Sequence, residues 1–118
     1  MEVHAIAKNV PMSPQKMREV VRQIQGLPAL QAQAVLAMVP RKSARFVAKT
    51  LKSAIANAED LKMHKDEYRD MDTDNLRVVS AVAGAATTIK RFTPKARGSA
   101  GPIIKRRCHI KIILSDEN

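Results

Sequence analysis

Apolar and polar positions alternate at the start of the chain, with Val3, Ala5 and Ala7 set against His4, Ile6 and Lys8. A period of two predicts a short strand over residues 2–8. Residues 9–13 then turn, and Ser13 followed by Pro14 is a helix start: the hydroxyl accepts from an unpaired amide, and Pro occupies the first turn, where no donor is needed. Met17, Val20, Val21 and Ile24 follow at i, i+3, i+4 and i+7, which makes one apolar stripe, and Gly26 supplies the C-terminal cap. The spacing predicts a first helix over 14–25. Pro28 opens a second, Ala- and Leu-rich helix over 29–39 that Pro40 closes. The third, over 42–62, carries Ala44, Val47, Ala48, Leu51, Ala54, Ile55, Ala58 and Leu61 on one side. Arg41, Arg45, Lys49 and Lys52 gather on the adjoining arc, and Phe46 lies off the apolar side, toward the second helix.

Residues 59–74 have no convincing period and hold seven of the chain's eleven acids, so an exposed loop is expected there. Beyond it, Leu76, Val78, Ser80 and Val82 fall on one face of a strand. Further on, Ile110, Ile112 and Leu114 share a face, while Lys105, Arg107, His109 and Lys111 share the other. The Gly- and Pro-bearing stretch 92–102 joins these two strands into a long hairpin. From Gly84 to a tip near Gly98 is about 14 steps, or roughly 45 Å at about 3.3 Å per residue. That outruns the body of a 118-residue domain, whose radius of gyration should be about 13 to 14 Å. Small residues such as Ala85, Ala86, Thr87, Thr88 and Ser99 line this ribbon, and a lone two-stranded ribbon is marginal in water. Something outside the chain is expected to order it.

Charge singles out the same segment. The chain has a net charge of +10, yet residues 76–114 contain no Asp or Glu and carry nine of its 21 basic residues. The other 79 positions hold 12 basic and 11 acidic residues and are nearly neutral. A one-signed segment of this kind points to a polyanion, and nucleic acid is the commonest large one. Structured RNA suits a lightly built arm better than duplex DNA does. Its irregular clefts admit an extended ribbon, small side chains permit close backbone approach, and Arg and Lys meet phosphates. A membrane surface fits less well, because no apolar run of 18 residues and no basic amphipathic helix with Trp or Phe anchors is present. The N-terminal residues lack the charged and apolar regions of a signal peptide, and a single cysteine, Cys108, suits a reducing compartment, so a cytoplasmic protein is expected. With only Phe46, Phe92 and Tyr68 as aromatics, the core of one domain must come from Ala, Val, Ile, Leu and Met.

The sequence offers little to catalysis. His4, His64 and His109 are scattered, and Cys108 and His109, as neighbours in a strand, point to opposite faces and cannot share a metal or form a thiol and imidazole pair. Asp70, Asp72 and Asp74 alternate as in a calcium loop, but the Gly after the third ligand position and the Glu at the twelfth are missing. No Gly-rich phosphate loop and no Cys-x-x-Cys occurs. The expectation is a protein that is not an enzyme and takes no cofactor and no metal.

Three blocks carry a family resemblance: Ser13-Pro14-x-Lys16-x-Arg18, the run Ser53-Ala-Ile-Ala-Asn-Ala-Glu59, and Lys90-Arg91-Phe-Thr-Pro94-Lys95-Ala-Arg97-Gly98 leading to Lys105-Arg-Arg-Cys-His109-Ile-Lys-Ile-Ile-Leu114. Over nearly its whole length the chain resembles the L-twenty-two family of large-subunit ribosomal proteins, bacterial type. The resemblance implies an α+β fold, three helices packed on a small three-stranded antiparallel sheet with a long extended β-hairpin arm. It implies one RNA-binding domain over 1–118, with a body of about 1–83 and 103–118 and a protruding arm of about 84–102. The function implied is that of a structural constituent of the large ribosomal subunit in the cytoplasm. Such a protein binds large-subunit rRNA, aids its assembly and lines the nascent-peptide exit tunnel with the hairpin tip. Its partners are then large-subunit rRNA, neighbouring large-subunit ribosomal proteins and the nascent peptide, with no membrane, and it is a monomer outside the ribosome.

Carried over by position, the resemblance makes Lys90, Arg91, Pro94, Lys95, Arg97 and Gly98 the arm tip, and Ser13, Lys16, Arg18, Arg107 and His109 RNA-facing positions on the body. Arg45 and Lys49 from the basic helical arc, and Lys105 and Lys111 from the cationic strand face, complete the expected RNA-binding set. The chain departs from the family at Ser99-Ala100-Gly101-Pro102, where a further Arg and an acid-Arg pair are usual, and at Gly84-Ala85-Ala86, where an acid followed by Gly-Pro is usual. The loop after Glu59 also departs from the usual His-Asn sequence. The competing reading is an architectural DNA-binding protein with a β-ribbon arm and a Pro wedge at its tip. Such arms come paired in dimers, and no apolar dimer face is left over once the helices pack.

Overall fold

The structure, a computed structural model, describes residues 1–94, 98 and 100–116. Three helices, α1 (Pro14–Ile24), α2 (Ala29–Met38) and α3 (Lys42–His64), accompany five strands, β1 (Glu2–Val10), β2 (Arg77–Ala85), β3 (Ile89–Pro94), β4 (Ala100–Lys105) and β5 (Cys108–Ser115). The strands form two antiparallel sheets, a three-stranded one in the order β1-β5-β2 and a two-stranded one made of β3 and β4.

β5 is the centre of the larger sheet, and its sequence explains why. Cys108, Ile110, Ile112 and Leu114 alternate inward and are fully buried, each large aliphatic contributing about 1.5 to 3 kcal/mol by leaving water. His109, Lys111 and Ile113 alternate to the other face. α1 and α3 cover the inward face, and α2 lies mainly on α3. From α1 the sheet receives the predicted stripe, Met17, Val20, Val21 and Ile24. From α3 the buried set is Ala44, Val47, Leu51, Ala54 and Ala58. Alanines at three of these positions let a long helix lie close to β1 and β5 without aromatic bulk. Among the described residues no buried side-chain nitrogen or oxygen lacks a partner; the Thr50 hydroxyl, for example, donates to the Phe46 carbonyl at 2.9 Å.

The local signals act as their chemistry dictates. The Ser13 hydroxyl accepts from the Lys16 amide at 3.4 Å, and Gly26 takes φ +79° just beyond the helix, where a side chain would be strained. The linker that follows is stitched to β2: the Gly26 amide donates to the Val78 carbonyl, the Val78 amide to the Leu27 carbonyl, and the Ala29 amide to the Leu76 carbonyl, at 2.8, 2.9 and 2.8 Å.

Several details differ from the sequence pattern. β1 runs to Val10 through a bulge at residues 8 and 9, where Asn9 adopts φ +57°, so the turn begins two residues later than expected. In β2 the register shifts between Val78 and Ser80. Val79 is an extra residue there, and one extra residue exchanges the faces of everything after it. Ala81 and Ala83 are therefore buried, while Val82, expected beside Leu76 and Val78, is 51% exposed. Residues 59–74 are not one exposed loop. α3 continues to His64, two short 3-10 turns (Asp66–Tyr68 and Thr73–Asn75) follow, and Met71 between them is fully buried. Phe46 lines a groove with residues 5–11 of β1 and its turn.

The chain ends of the body meet at Asp116, whose carboxylate accepts from the N-terminal ammonium at 2.9 Å and from the Asp72 amide at 3.3 Å. The hydrogen bond from the ammonium is the main cause that holds the Asp116 carboxyl below the ordinary aspartate range. A carboxyl depressed by folding stabilises the native state above its unfolded value of about 3.9 and loses that contribution as pH falls through the lower native value. Asp116→Asn is accordingly expected to flatten the stability profile below about pH 4 and to leave it parallel to the parent above about pH 5, as read by urea titrations across that range.

Candidate nucleic-acid interface

The two sheets are separated by a break that falls at the same level in both strands. β2 ends at Ala85 and β3 resumes at Ile89; β4 ends at Lys105 and β5 begins at Cys108. Across this joint the Ala86 amide donates to the Arg107 carbonyl at 3.0 Å. Beyond it, β3 and β4 pair in register from Ile89 with Lys105 to Pro94 with Ala100, and among the described residues neither packs broadly on another element. The molecule is accordingly long. Its radius of gyration is 17.7 Å and its extents are 67 × 28 × 17 Å, against a radius near 13 to 14 Å for a compact chain of this length.

The expected RNA-binding residues divide among four places. Lys90 and Arg91 are exposed on β3, and the Arg91 guanidinium donates back to the Lys90 carbonyl at 3.1 Å. Pro94 ends β3 opposite Ala100, and Gly98 is exposed with φ +72°, a conformation that favours glycine. Lys95 and Arg97 lie outside the described residues. Around the joint stand Lys105, exposed at the end of β4, half-buried Arg107, exposed Lys16 on the first turn of α1, and Ser13, which is held as its cap. The joint separates Lys105 from Lys111, so the cationic face expected along one strand is divided between two sheets.

On the body, Arg45 and Lys49 are exposed on α3 and open into different grooves, Arg45 toward α2 and Lys49 toward β1. Lys111 is exposed on the open face of the larger sheet, where it pairs with Ile6 on one side and Val82 on the other. Two members of the set also hold the fold. The Arg18 Nε donates to the Ala83 carbonyl at 2.9 Å, which ties α1 to β2. His109 is half-buried and its Nδ1 accepts from the Asn9 amide at 3.1 Å, so the ring presents Nε2 as its donor and pins the β1 bulge.

Arg106 was not among the expected residues, yet it is exposed and lines a groove at the joint together with Lys16, Lys105 and Arg107. The run of three cations from Lys105 to Arg107 was the available signal. Cys108, next in sequence, is fully buried, and burial raises its thiol above the ordinary value and keeps it neutral. Among the described residues no group of His, Cys, Asp or Glu is placed to hold a metal, and no helix is long and apolar enough to cross a membrane.

Residues 5–115 match the family described as Ribosomal protein L22p/L17e. The chain belongs to this ribosomal protein family. The large ribosomal subunit protein uL22 of Opitutus terrae is 47% identical over 118 residues, covering all of this chain and 98% of that one. Those of Akkermansia muciniphila and Chloroflexus aggregans are 43% and 41% identical over 117 and 118 residues, covering 99% and 100% of this chain and 98% of each relative. As a member, the chain is a structural component of the ribosome and not an enzyme. The matched span runs from within β1 to the end of β5 and includes the three helices and the separate hairpin.

Proposed function

We propose that this chain binds large-subunit rRNA, aids its folding during assembly, and lines the nascent-peptide exit tunnel with the tip of its hairpin. One observation carries the reading. A ribbon of two strands with no acidic residue leads away from the body, and among the described residues it has no broad packing partner in its own chain. Such a ribbon is marginal alone, and a surrounding polyanion supplies both the walls and the countercharge. The body, about 1–83 and 103–118, anchors on RNA through Ser13, Lys16, Arg18, Arg45, Lys49, Arg107, His109 and Lys111. The arm, about 84–102, threads inward with Lys90, Arg91, Pro94, Lys95, Arg97 and Gly98 at its far end, and Lys105 sits at its root.

The site of action is the cytoplasmic large subunit, as the names of the relatives support. The partners are its rRNA, neighbouring ribosomal proteins and the nascent peptide, and the free protein is a monomer. No metal, cofactor or membrane enters the reading.

Sedimentation of a cell lysate through a sucrose cushion tests it: the protein is expected with the large ribosomal subunit, and recovery with the nucleoid or in the free fraction would overturn the proposal in favour of a DNA-binding arm or neither. Binding of the purified chain to large-subunit rRNA should also weaken steeply with salt. About six phosphate contacts give a slope near −4 to −5 in log affinity against log salt concentration.

A further inference from the structure

The groove at the joint combines two chemistries that a phosphate backbone alone does not require. One wall is the turn entering α1, with Pro11, Met12, Ser13 and Lys16; the other is the root of the hairpin, with Ile89 and residues 104–107. It encloses about 540 Å³, a volume in the range of small-ligand sites, which run from about 300 to 1,000 Å³. Its charged lining is all cationic, Lys16, Lys105, Arg106 and Arg107, and includes no carboxylate. Its apolar lining is left wet: Ile104 is 50% exposed, and Met12 and Ile89 are half-buried.

Cations without a countercharge answer phosphates. Wet isoleucine and methionine gain nothing from a phosphate, but they gain from a flat base laid over them, and Arg planes at the rim stack on bases as well. A duplex keeps its bases inside and offers this groove only its backbone. An unpaired nucleotide offers base and phosphate together.

We infer that the groove between the α1 turn and the hairpin root takes one unpaired nucleotide of RNA, its base against Met12, Ile89 and Ile104 and its flanking phosphates against Lys16, Lys105, Arg106 and Arg107. This rests on the proposed RNA binding and names the form of RNA the joint selects. The outer edge of β4 has no strand partner among the described residues, so the competing occupant of the same groove is an added protein strand.

The test uses the full chain with labelled isoleucine methyl groups and three probes: inorganic phosphate, an adenosine trinucleotide, and the same trinucleotide lacking its central base. The trinucleotide is expected to move the Ile89 and Ile104 methyl signals, phosphate alone is not, and loss of the central base is expected to weaken binding about fivefold or more, as base stacking contributes on such platforms. Ile104→Ser, at an exposed position of a ribbon outside the core, should remove the difference between the two trinucleotides, and Met12→Ser on the opposite wall should do the same. Equal binding of both trinucleotides by the parent chain overturns the inference. So do isoleucine signals that ignore the trinucleotide while large-subunit rRNA still binds, or that move instead on adding neighbouring ribosomal proteins. If the chain fails to bind large-subunit rRNA at all, the RNA reading itself is lost and the groove assignment goes with it.

Discussion

Ala81→Glu is expected to lower the thermal midpoint by more than about 10 °C, while Val82→Glu, one residue later, is expected to leave it within about 2 °C. The two outcomes are decided by the bulge at Val79. Ala81 is 1% exposed on the core side of β2, and a carboxylate there would lose its water with no cation to receive it, a cost of several kcal/mol. Val82 stands half in solvent on the open face and pairs with Lys111, so a carboxylate at that position keeps its water and meets a favourable charge across the strands. An unbroken alternation from Leu76 would give the reverse order of effects. A melting curve for each variant separates the two registers, and a stable Ala81→Glu protein would show that the bulge is misplaced. Deletion of Val79 serves as a further control: Ser80, Ala81, Val82 and Ala83 keep their pairing and their faces, because the residue removed is the one without a partner.

Replacing residues 91–103 with Asn-Gly is expected to leave the body folded and to change how it holds RNA. Lys90 and Ile104 face each other across the two strands, so a two-residue turn of this kind closes the ribbon at that pair without straining the joint. Among the described residues the buried core lies wholly outside 91–103, and helical circular dichroism and the thermal midpoint should be retained to within about 3 °C. Arg91, Lys95 and Arg97 go with the arm. The salt slope for rRNA binding should become shallower by about two units, because each of the three lost phosphate contacts removes about 0.7 on single-stranded RNA. The shortened chain should still sediment with the large subunit through the cations of its body. Loss of helical signal would mean that arm and body fold as one unit, and an unchanged slope would mean that the arm does not meet phosphates.

The helices were legible because each rule that predicts them is local. A Ser-Pro start, a stripe at i, i+3, i+4 and i+7 and a following Gly occupy about a dozen consecutive residues, and the structure places α1 within one residue of that reading. β5 was legible for the same reason, with Ile110, Ile112 and Leu114 alternating without interruption. What the pattern missed depends on partners distant in sequence. The Val79 bulge changes no composition; its trace is two adjacent valines where alternation calls for one, and it is resolved by pairing with Leu114 and Ile113. Met71 is a single apolar residue between two acids, so its burial is set by tertiary packing, not by a local period.

Charge behaves differently again. Which residues are cationic is plain from the sequence, and most of the expected set is exposed, but the distribution around the joint is not, because Lys16 and Arg106 are brought into one groove by the entry to α1 and the end of β4. The apolar part of that groove is harder still to foresee, since Ile89 and Ile104 read as ordinary strand residues until the strands are seen to break beside them.

The break also sets the mechanics of the arm. Two chain crossings and the bond from Ala86 to Arg107 connect the hairpin sheet to the body sheet, so the ribbon acts as a lever hinged at its root. From residue 88 to Pro94 is six steps, about 20 Å of extended chain, and a turn of about 15° at the root therefore sweeps the end of β3 through about 5 Å. That is more than the spacing of neighbouring strands, about 4.8 Å. Aim at the tip is consequently won or lost at residues 86–88 and 106–107, and whatever fills the groove beside them also steers the lever.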